Sequence, residues 1–516
     1  MYIHTHTSIP SLTLRHHHRH SQTTSSAHRS SHVCWHVYGL LHRSERNYNE
    51  AIKAYKQALK IDPENGQILR DLSLLQVQMR DLEGFCQTRN TLLAMKSNAK
   101  GNWLSFAVAK HLNGELREAL QVLDAYLGTL SPNASELERG LESSELAMYT
   151  NQIIGQIPNN HQEALDHLNQ IENLVVDRGA WLMNKAKHEL QLGRFDAARK
   201  SYMAVLERGV SDDYLVHSGY MCALLQMDPP TCQEALNVKG MDTLATIRTL
   251  TSDQKKVLLD SYQAELLSRF PRSQAIVRIA LTLLEGEAFK TAVDAYCRKR
   301  LAKGVPSLGM DLSSLLLIEK DGKLVRATDG VDVRSHPTFH TLVELADSYV
   351  ATPIEESPSA ILWAWYLRAG LHELANEYEQ GIALLDLCLD HTPTAVDVYE
   401  LKASLLKAGG DIQAAVECLD KGRELDKQDR YINNQTTKYM LQAGMEETAL
   451  ERISLFTKHE GNPEHNLFLM QCSWYELELA SCLARKDKWG PSLKKYRELN
   501  IRLGFVTGCD RCVCRH

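Results

Sequence analysis

Few residues of this 516-residue chain stand at spacings that could do chemistry. The last nine, 508–516, hold Cys509, Cys512, Cys514 and His516, a donor set able in principle to surround a zinc ion. The ligands are crowded and no loop separates two pairs, so 504–516 reads as a Cys-rich, non-native-looking tail with oxidation-prone thiols. Residues 1–33 contain no Asp or Glu and carry the run Arg15-His16-His17-His18-Arg19-His20. A transit peptide needs an amphipathic helix that is not evident here, and a metal-binding His tract is a compositional reading only. Residues 1–30 are read as a disordered or mispredicted His/Ser-rich leader.

Inside the chain, His340 and Glu344 lie four residues apart, and His372 stands near Glu373 and Glu377. The zincin spacing and a Gly-rich phosphate loop ending in Lys-Ser/Thr are both missing, so these pairs read as solvated helix faces. His188, between Lys187 and Glu189, reads as an ordinary helix-surface residue. Lys486, Lys488, Lys494, Lys495 and Arg497 form a basic cluster, and Arg430, Lys438 and Lys458 a looser one. Most such charges solvate a helix face; the alternative is an anion-binding concavity where helices converge. No catalytic, cofactor or metal residue is assigned.

The elements that must carry these residues are clearer than the residues themselves. Trp35, Leu69 and Trp103 recur at 34-residue steps, as do Tyr48, Leu82 and Leu116, and Ala51, Phe85 and Ala119. This period and texture mark helix–turn–helix units of the tetratricopeptide (TPR) kind, giving an all-α superhelical solenoid built for holding other proteins. In the first unit Trp35, Tyr38 and Gly39 share a face of the first helix, and Gly39 lets the second approach closely. Tyr48, Ala51, Tyr55 and Ala58 line the second helix, and Pro63 stops it. Ala164 and Ala198 repeat the step, as do Ala415 and Ala449; Trp365, Tyr378 and Gly381 open a later unit. Trp35, Gly39, Tyr48, Ala51, Tyr55, Ala58, Trp103, Ala119, Ala198, Trp365, Tyr378, Ala415 and Ala449 are the expected repeat-packing residues.

The expected organisation is a TPR array over 31–215, irregular helical repeats with loops over 216–355 and a second array over 356–503. These are read as one continuous superhelix. Within the middle part, 255–270, 273–284 and 289–301 read as helices, and 321–337 as an exposed loop because of Gly322, Gly330 and Pro337. Gly and Pro together make up only 42 residues, which suits a helical protein. A net charge of −6 argues against bulk nucleic-acid binding, so DNA is not an expected partner. No apolar run reaches the roughly 18–20 residues of a membrane span. Twelve cysteines, mostly at irregular spacing in helical patterns, suggest reduced thiols and a cytoplasmic location.

Several blocks go beyond the generic repeat. They are 31–41 followed by Tyr48-Asn49-Glu50-Ala51-Ile52, the long block 68–84 with its polar residues, Gly286-Glu287-Ala288-Phe289-Lys290 and Lys303-Gly304-Val305-Pro306. Asp429-Arg430-Tyr431-Ile432-Asn433, running to Lys438-Tyr439-Met440-Leu441, and Met470-Gln471-Cys472-Ser473-Trp474 complete the set. In collinear order over about 31–500 the chain resembles the auxiliary subunit of N-terminal acetyltransferase A (NatA), truncated at both ends. The resemblance implies a non-catalytic scaffold that binds and activates the catalytic acetyltransferase subunit, anchored near the ribosome, for co-translational acetylation of nascent N-termini. It implies acetyl-CoA on that partner, in keeping with the absence here of a Q/R-x-x-G-x-G/A pattern after a strand. It also implies an inositol hexakisphosphate at the subunit interface in some relatives, with Arg430 and Lys438 as candidate anion-binding residues. The abrupt departures at both ends put ribosome contact and full partner wrapping in question. The alternative is a general TPR adaptor such as a chaperone-tail clamp, which needs a Lys/Asn set that Trp35, Gly39, Leu69 and Trp103 do not supply.

Overall fold

Small residues at the crossing points let paired helices pack closely, and the first hairpin shows how. Gly39 is buried in the helix His32–Ser44, where an added Cβ would stand 2.4 Å from Cε1 of Tyr55 on the helix Tyr48–Ile61. Ala51, Tyr55 and Ala58 are completely buried against Ile68, Leu72 and Leu75 of the next helix, with Trp35 and Tyr48 packed around them. A fully buried Tyr in such a stack contributes roughly the 3–5 kcal/mol lost on truncating a large core aromatic.

The computed structural model describes residues 31–507, apart from 46, 131–139, most of 229–249, 321–322, 327–332, 353–358 and 459. The readings placed on 1–30 and on Cys509, Cys512, Cys514 and His516 lie outside the described residues. The helices fall into two compact units, one formed by residues up to 140 with 152–157, the other by 141–151 and 158–503.

In the first unit, antiparallel pairs follow one another: His32–Ser44 with Tyr48–Ile61, Gly66–Gln78 with Leu82–Met95, and Lys100–Leu112 with Leu116–Gly128. Side-chain caps set several starts. Asn65 Oδ1 accepts from the amides of Gln67 and Ile68, and Asp81 from that of Gly84, satisfying donors that have no intrahelical partner. The polar residues of 68–84 prove structural. Thr88 Oγ1 donates to Gln76 Oε1 at 2.8 Å, and Gln76 Nε2 reaches Asp81 at 3.4 Å. Asp71, nearly buried, accepts from His36 at 2.9 Å and Arg43 at 3.2 Å.

The second unit begins with hairpins of the same kind, including Arg178–Gln191 with Phe195–Glu207, whose Ala198 and Tyr202 are completely buried. A less regular stretch follows. Ser252–Ser261 passes through a π-helical turn, Tyr262–Leu266, before Gln274–Leu283, Gly286–Lys303 and the short Leu308–Ser313. Part of the expected loop at 321–337 is instead an antiparallel hairpin of Leu317–Lys320 with Lys323–Arg326, pairing Leu317 with Arg326 and Lys320 with Lys323. The Gly residues there were read as loop signals alone. Asp321-Gly322 between apolar alternations is the sequence signal of a two-residue hairpin. Regular pairs then resume: Ala360–Leu374 with Tyr378–His391, Val396–Ala408 with Ile412–Leu425, and Arg430–Gln442 with Glu446–Ser454. Pro463–Leu469, Ser473–Arg485 and Trp489–Thr507 complete the described fold, an all-α helical-repeat architecture with one small strand hairpin.

Candidate functional site

The repeat-packing positions fall at helix contacts. Ala51, Tyr55, Ala58, Ala119, Ala198, Ala415 and Ala449 are completely buried. Trp35 and Tyr48 pack beside the first core, Trp365 and Tyr378 beside the core of Leu362, Ala369 and Leu385, and Trp103 lies against Tyr126 with ring centroids 6.4 Å apart. These residues build the scaffold and leave its chemistry to others.

The titratable candidates divide. His188 is a correction: it is not on the surface but buried, its Nδ1 3.2 Å from Nδ1 of His161. Burial first, then the neighbouring His161, lowers its pKa to about 4, so it is a neutral ring at ordinary pH. Its helix turns that face onto the preceding pair, which the flanking Lys187 and Glu189 concealed in the sequence. His372 Nδ1 lies 2.7 Å from Glu377 Oε2 at the turn between paired helices. Glu344 is held by Lys290 at 2.8 Å. Among the described residues no group of three or more His, Cys, Asp or Glu is arranged to hold a metal ion.

Arg430, which opens the helix Arg430–Gln442, and Lys438, eight residues on, meet different partners. The Arg430 guanidinium lies 5.5 Å from the centroid of Phe456, and Lys438 Nζ is 3.6 Å from Glu478. Three residues of the basic cluster are paired: Lys486 and Lys488 both reach Glu446, at 2.7 and 3.0 Å, and Lys495 reaches Glu464 at 3.2 Å.

A different site is assembled by residues to which the sequence reading gave no site role. The segment 306–313 and the helices Ala360–Leu374 and Val396–Ala408 enclose a groove of about 650 Å³, with Tyr431 at one end. Leu367, Leu371, Leu401 and Met310 give it an apolar lining, and Glu373, Asp397 and Glu400 enter it from neighbouring helices. Ser404 Oγ donates to Glu373 at 2.6 Å and Tyr431 Oη to Glu400 at 2.5 Å. Burial raises the pKa of both Glu373 and Glu400, against smaller lowering by these hydroxyls. Asp397 is exposed and makes no hydrogen bond or ion pair with the described residues. Among the described residues no Lys or Arg lines the groove.

The wall at 306–313 is fixed from behind. Arg278 is 1% exposed, and its guanidinium donates to Asp311 Oδ1 at 3.2 Å, to the Asp311 carbonyl and to Ser314, while Tyr296 also donates to Asp311. Gly304 ends Gly286–Lys303 in the left-handed region at φ 63°, and a Cβ there would stand 2.7 Å from Nε1 of Trp363. The Lys303-Gly304-Val305-Pro306 block thus marks where the wall leaves its helix. The carboxylates left no comparable signal: His372, Glu373 and Glu377 read as a solvated face, whereas His372 is buried and Glu373 half-buried, and Asp397 and Glu400 sit in an ordinary amphipathic helix.

With this geometry in hand, comparisons place the chain. Residues 141–503 match the family described as N-terminal acetyltransferase A, auxiliary subunit, and residues 32–65 match the tetratricopeptide repeat. The N-terminal acetyltransferase A complex auxiliary subunit NAA15 of Arabidopsis thaliana is 37% identical over 466 residues, covering 90% of this chain and 49% of the relative. The N-alpha-acetyltransferase 16, NatA auxiliary subunit, of Mus musculus is 32% identical over 483 residues, covering 92% and 51%. A solved structure of Naa15/Naa10 bound to HypK-THB contains a chain that superposes with a TM-score of 0.73 at 31% identity, covering 93% of this chain and 67% of that one. The chain spans about half the length of the curated relatives it matches. It belongs to the family of auxiliary subunits of N-terminal acetyltransferase A.

Proposed function

We propose, from membership in this family, that the chain is a non-catalytic scaffold that binds and activates the catalytic subunit of N-terminal acetyltransferase A. The observation carrying this reading is the superposition of 93% of the chain on a neighbour solved as Naa15/Naa10. Stacked helical pairs offer repeated binding faces, and a pre-organised face binds with little loss of conformational freedom. Activation then follows from holding the partner's active-site elements in one arrangement, which lowers the entropic part of the barrier.

On this reading the acetyl group comes from acetyl-CoA on the catalytic partner, and the acceptors are nascent protein N-termini in the cytoplasm near the ribosome. An inositol hexakisphosphate at the interface would need cations beyond Arg430 and Lys438, because these face Phe456 and Glu478 respectively. Partner side chains would have to complete such a site.

The test is co-purification of the full chain with the catalytic subunit from the same source, followed by acetyl transfer to peptides beginning with Ser or Ala. A stable complex whose activity on these peptides exceeds that of the catalytic subunit alone is expected. Separate elution at micromolar concentrations, with no change in activity, would refute the proposal.

A further inference from the structure

We propose that the groove between 306–313 and the helices Ala360–Leu374 and Val396–Ala408 docks a Lys- or Arg-bearing amphipathic segment of the catalytic subunit. Its cation would lie between Asp397 and Glu400, with its apolar neighbours on Leu367, Leu401 and Met310. This rests on the preceding reading for the identity of the partner, and it names the chemistry by which one surface recognises it.

Charge complementarity selects the occupant. Glu373 and Glu400 are partly withdrawn from water, and each has one hydroxyl donor, whereas a carboxylate offers about four acceptor positions. The described residues of the groove include no cation. A half-buried carboxylate without a counter-charge is an unfavourable arrangement that an incoming ammonium or guanidinium relieves. The rings of Tyr366 and Tyr431 flank the carboxylates and suit a cation as well.

The apolar surface argues for a side chain in its peptide setting over a bare ion. Met310 is 67% exposed and Tyr431 55%, large for residues at a concave site. A volume of about 650 Å³ lies within the roughly 300–1,000 Å³ typical of sites that enclose a ligand. A small hydrated cation would leave the Leu367–Leu401 surface wet, while a Lys or Arg stem beside an apolar residue covers it. The wall is also pre-formed, since the buried Arg278–Asp311 contacts hold 306–313 without help from a ligand.

The experiment titrates the full chain with the catalytic subunit at about 50 and about 300 mM salt, where screening of exposed charge differs severalfold in range. Wild type is compared with Asp397→Asn/Glu400→Gln, a near-isosteric change that removes charge and keeps shape. Carbodiimide coupling of the complex, read by mass spectrometry, then asks which amine lies against Asp397 or Glu400. We expect the double variant to melt no lower than wild type, to bind at least about tenfold more weakly at low salt, and to show a flatter salt dependence. Wild-type affinity and salt dependence in the variant would overturn the inference while leaving the partner assignment intact. If wild-type chain forms no complex at all, the assignment and the inference fall together. Coupling of these carboxylates to a Lys from a second copy of this chain, or competition only by free polyamine, would also overturn it.

Discussion

Two stretches of the second unit carry dense charge and balance it differently. From 438 to 495, lysines meet carboxylates across the helices: Lys438 with Glu478, Lys486 and Lys488 with Glu446, Lys495 with Glu464. In the groove, Glu373 and Glu400 each accept from a hydroxyl, Asp397 is exposed, and among the described residues no lysine or arginine lines the site. The same contrast appears in their protonation. Hydrogen bonding to Lys486 holds the Glu446 carboxyl below the usual range, whereas burial pushes those of Glu373 and Glu400 above it. Charges balanced within the chain are used up in joining its helices. Charges left unbalanced beside apolar surface are available to a partner.

The largest effect should come from the wall that shapes the groove. Arg278→Ala removes a buried guanidinium and leaves Asp311 and Ser314 without it, which should cost about 3–5 kcal/mol in denaturant unfolding. Gly304→Ala places a Cβ against Trp363 in a backbone conformation that L-residues avoid, and should cost roughly 1–2 kcal/mol or more. Its unfolding midpoint should fall visibly, yet less than that of Arg278→Ala.

Acid should separate the two stretches by sign. Glu446, with a lowered folded pKa, contributes stability present above the unfolded value of about 4.5 and lost as pH falls through the folded value. Glu373 and Glu400, with raised folded values, destabilise the fold at neutral pH and cease to do so as they protonate on acidification. Among the described residues the groups facing them are Asp397, Asp429, Tyr366, Tyr431, Tyr439 and Ser404, none of them cationic. Carboxyl chemical shifts followed from pH 7 to pH 3 should show Glu373 and Glu400 titrating before Glu446. The opposite order would break the comparison. Smallest of all, Lys488→Ala should leave the unfolding midpoint within error, since Glu446 keeps Lys486 and exposed pairs contribute little.

How far the sequence reached follows from the physics of each feature. Repeats are local, so the sequence marks Gly39 as a close approach of the second helix and Ala198 as a packing position, and the structure supplies their neighbours, Tyr55 and Tyr202. The polar specificity of 68–84 was visible, but its cause was not: Gln76, Asp81 and Thr88 bond within one helical pair. Burial of His188 depends on a neighbouring repeat 27 residues away, and its own helix pattern looked exposed. The groove joins 306–313 to residues near 400, so its carboxylates are brought together only by stacking. Arg430 and Lys438, eight positions apart on one helix, were legible as basic residues and not as residues that face different partners.

The account stands most directly on one paired titration. Asp397→Asn/Glu400→Gln and Lys486→Ala/Lys488→Ala are each titrated with the catalytic subunit under the same low-salt buffer, beside wild type. The account predicts at least about tenfold weaker binding for the groove variant, a loss of about 1.4 kcal/mol or more, and near wild-type binding for the lysine variant. Equal losses in the two, or a loss confined to the lysine variant, would contradict it.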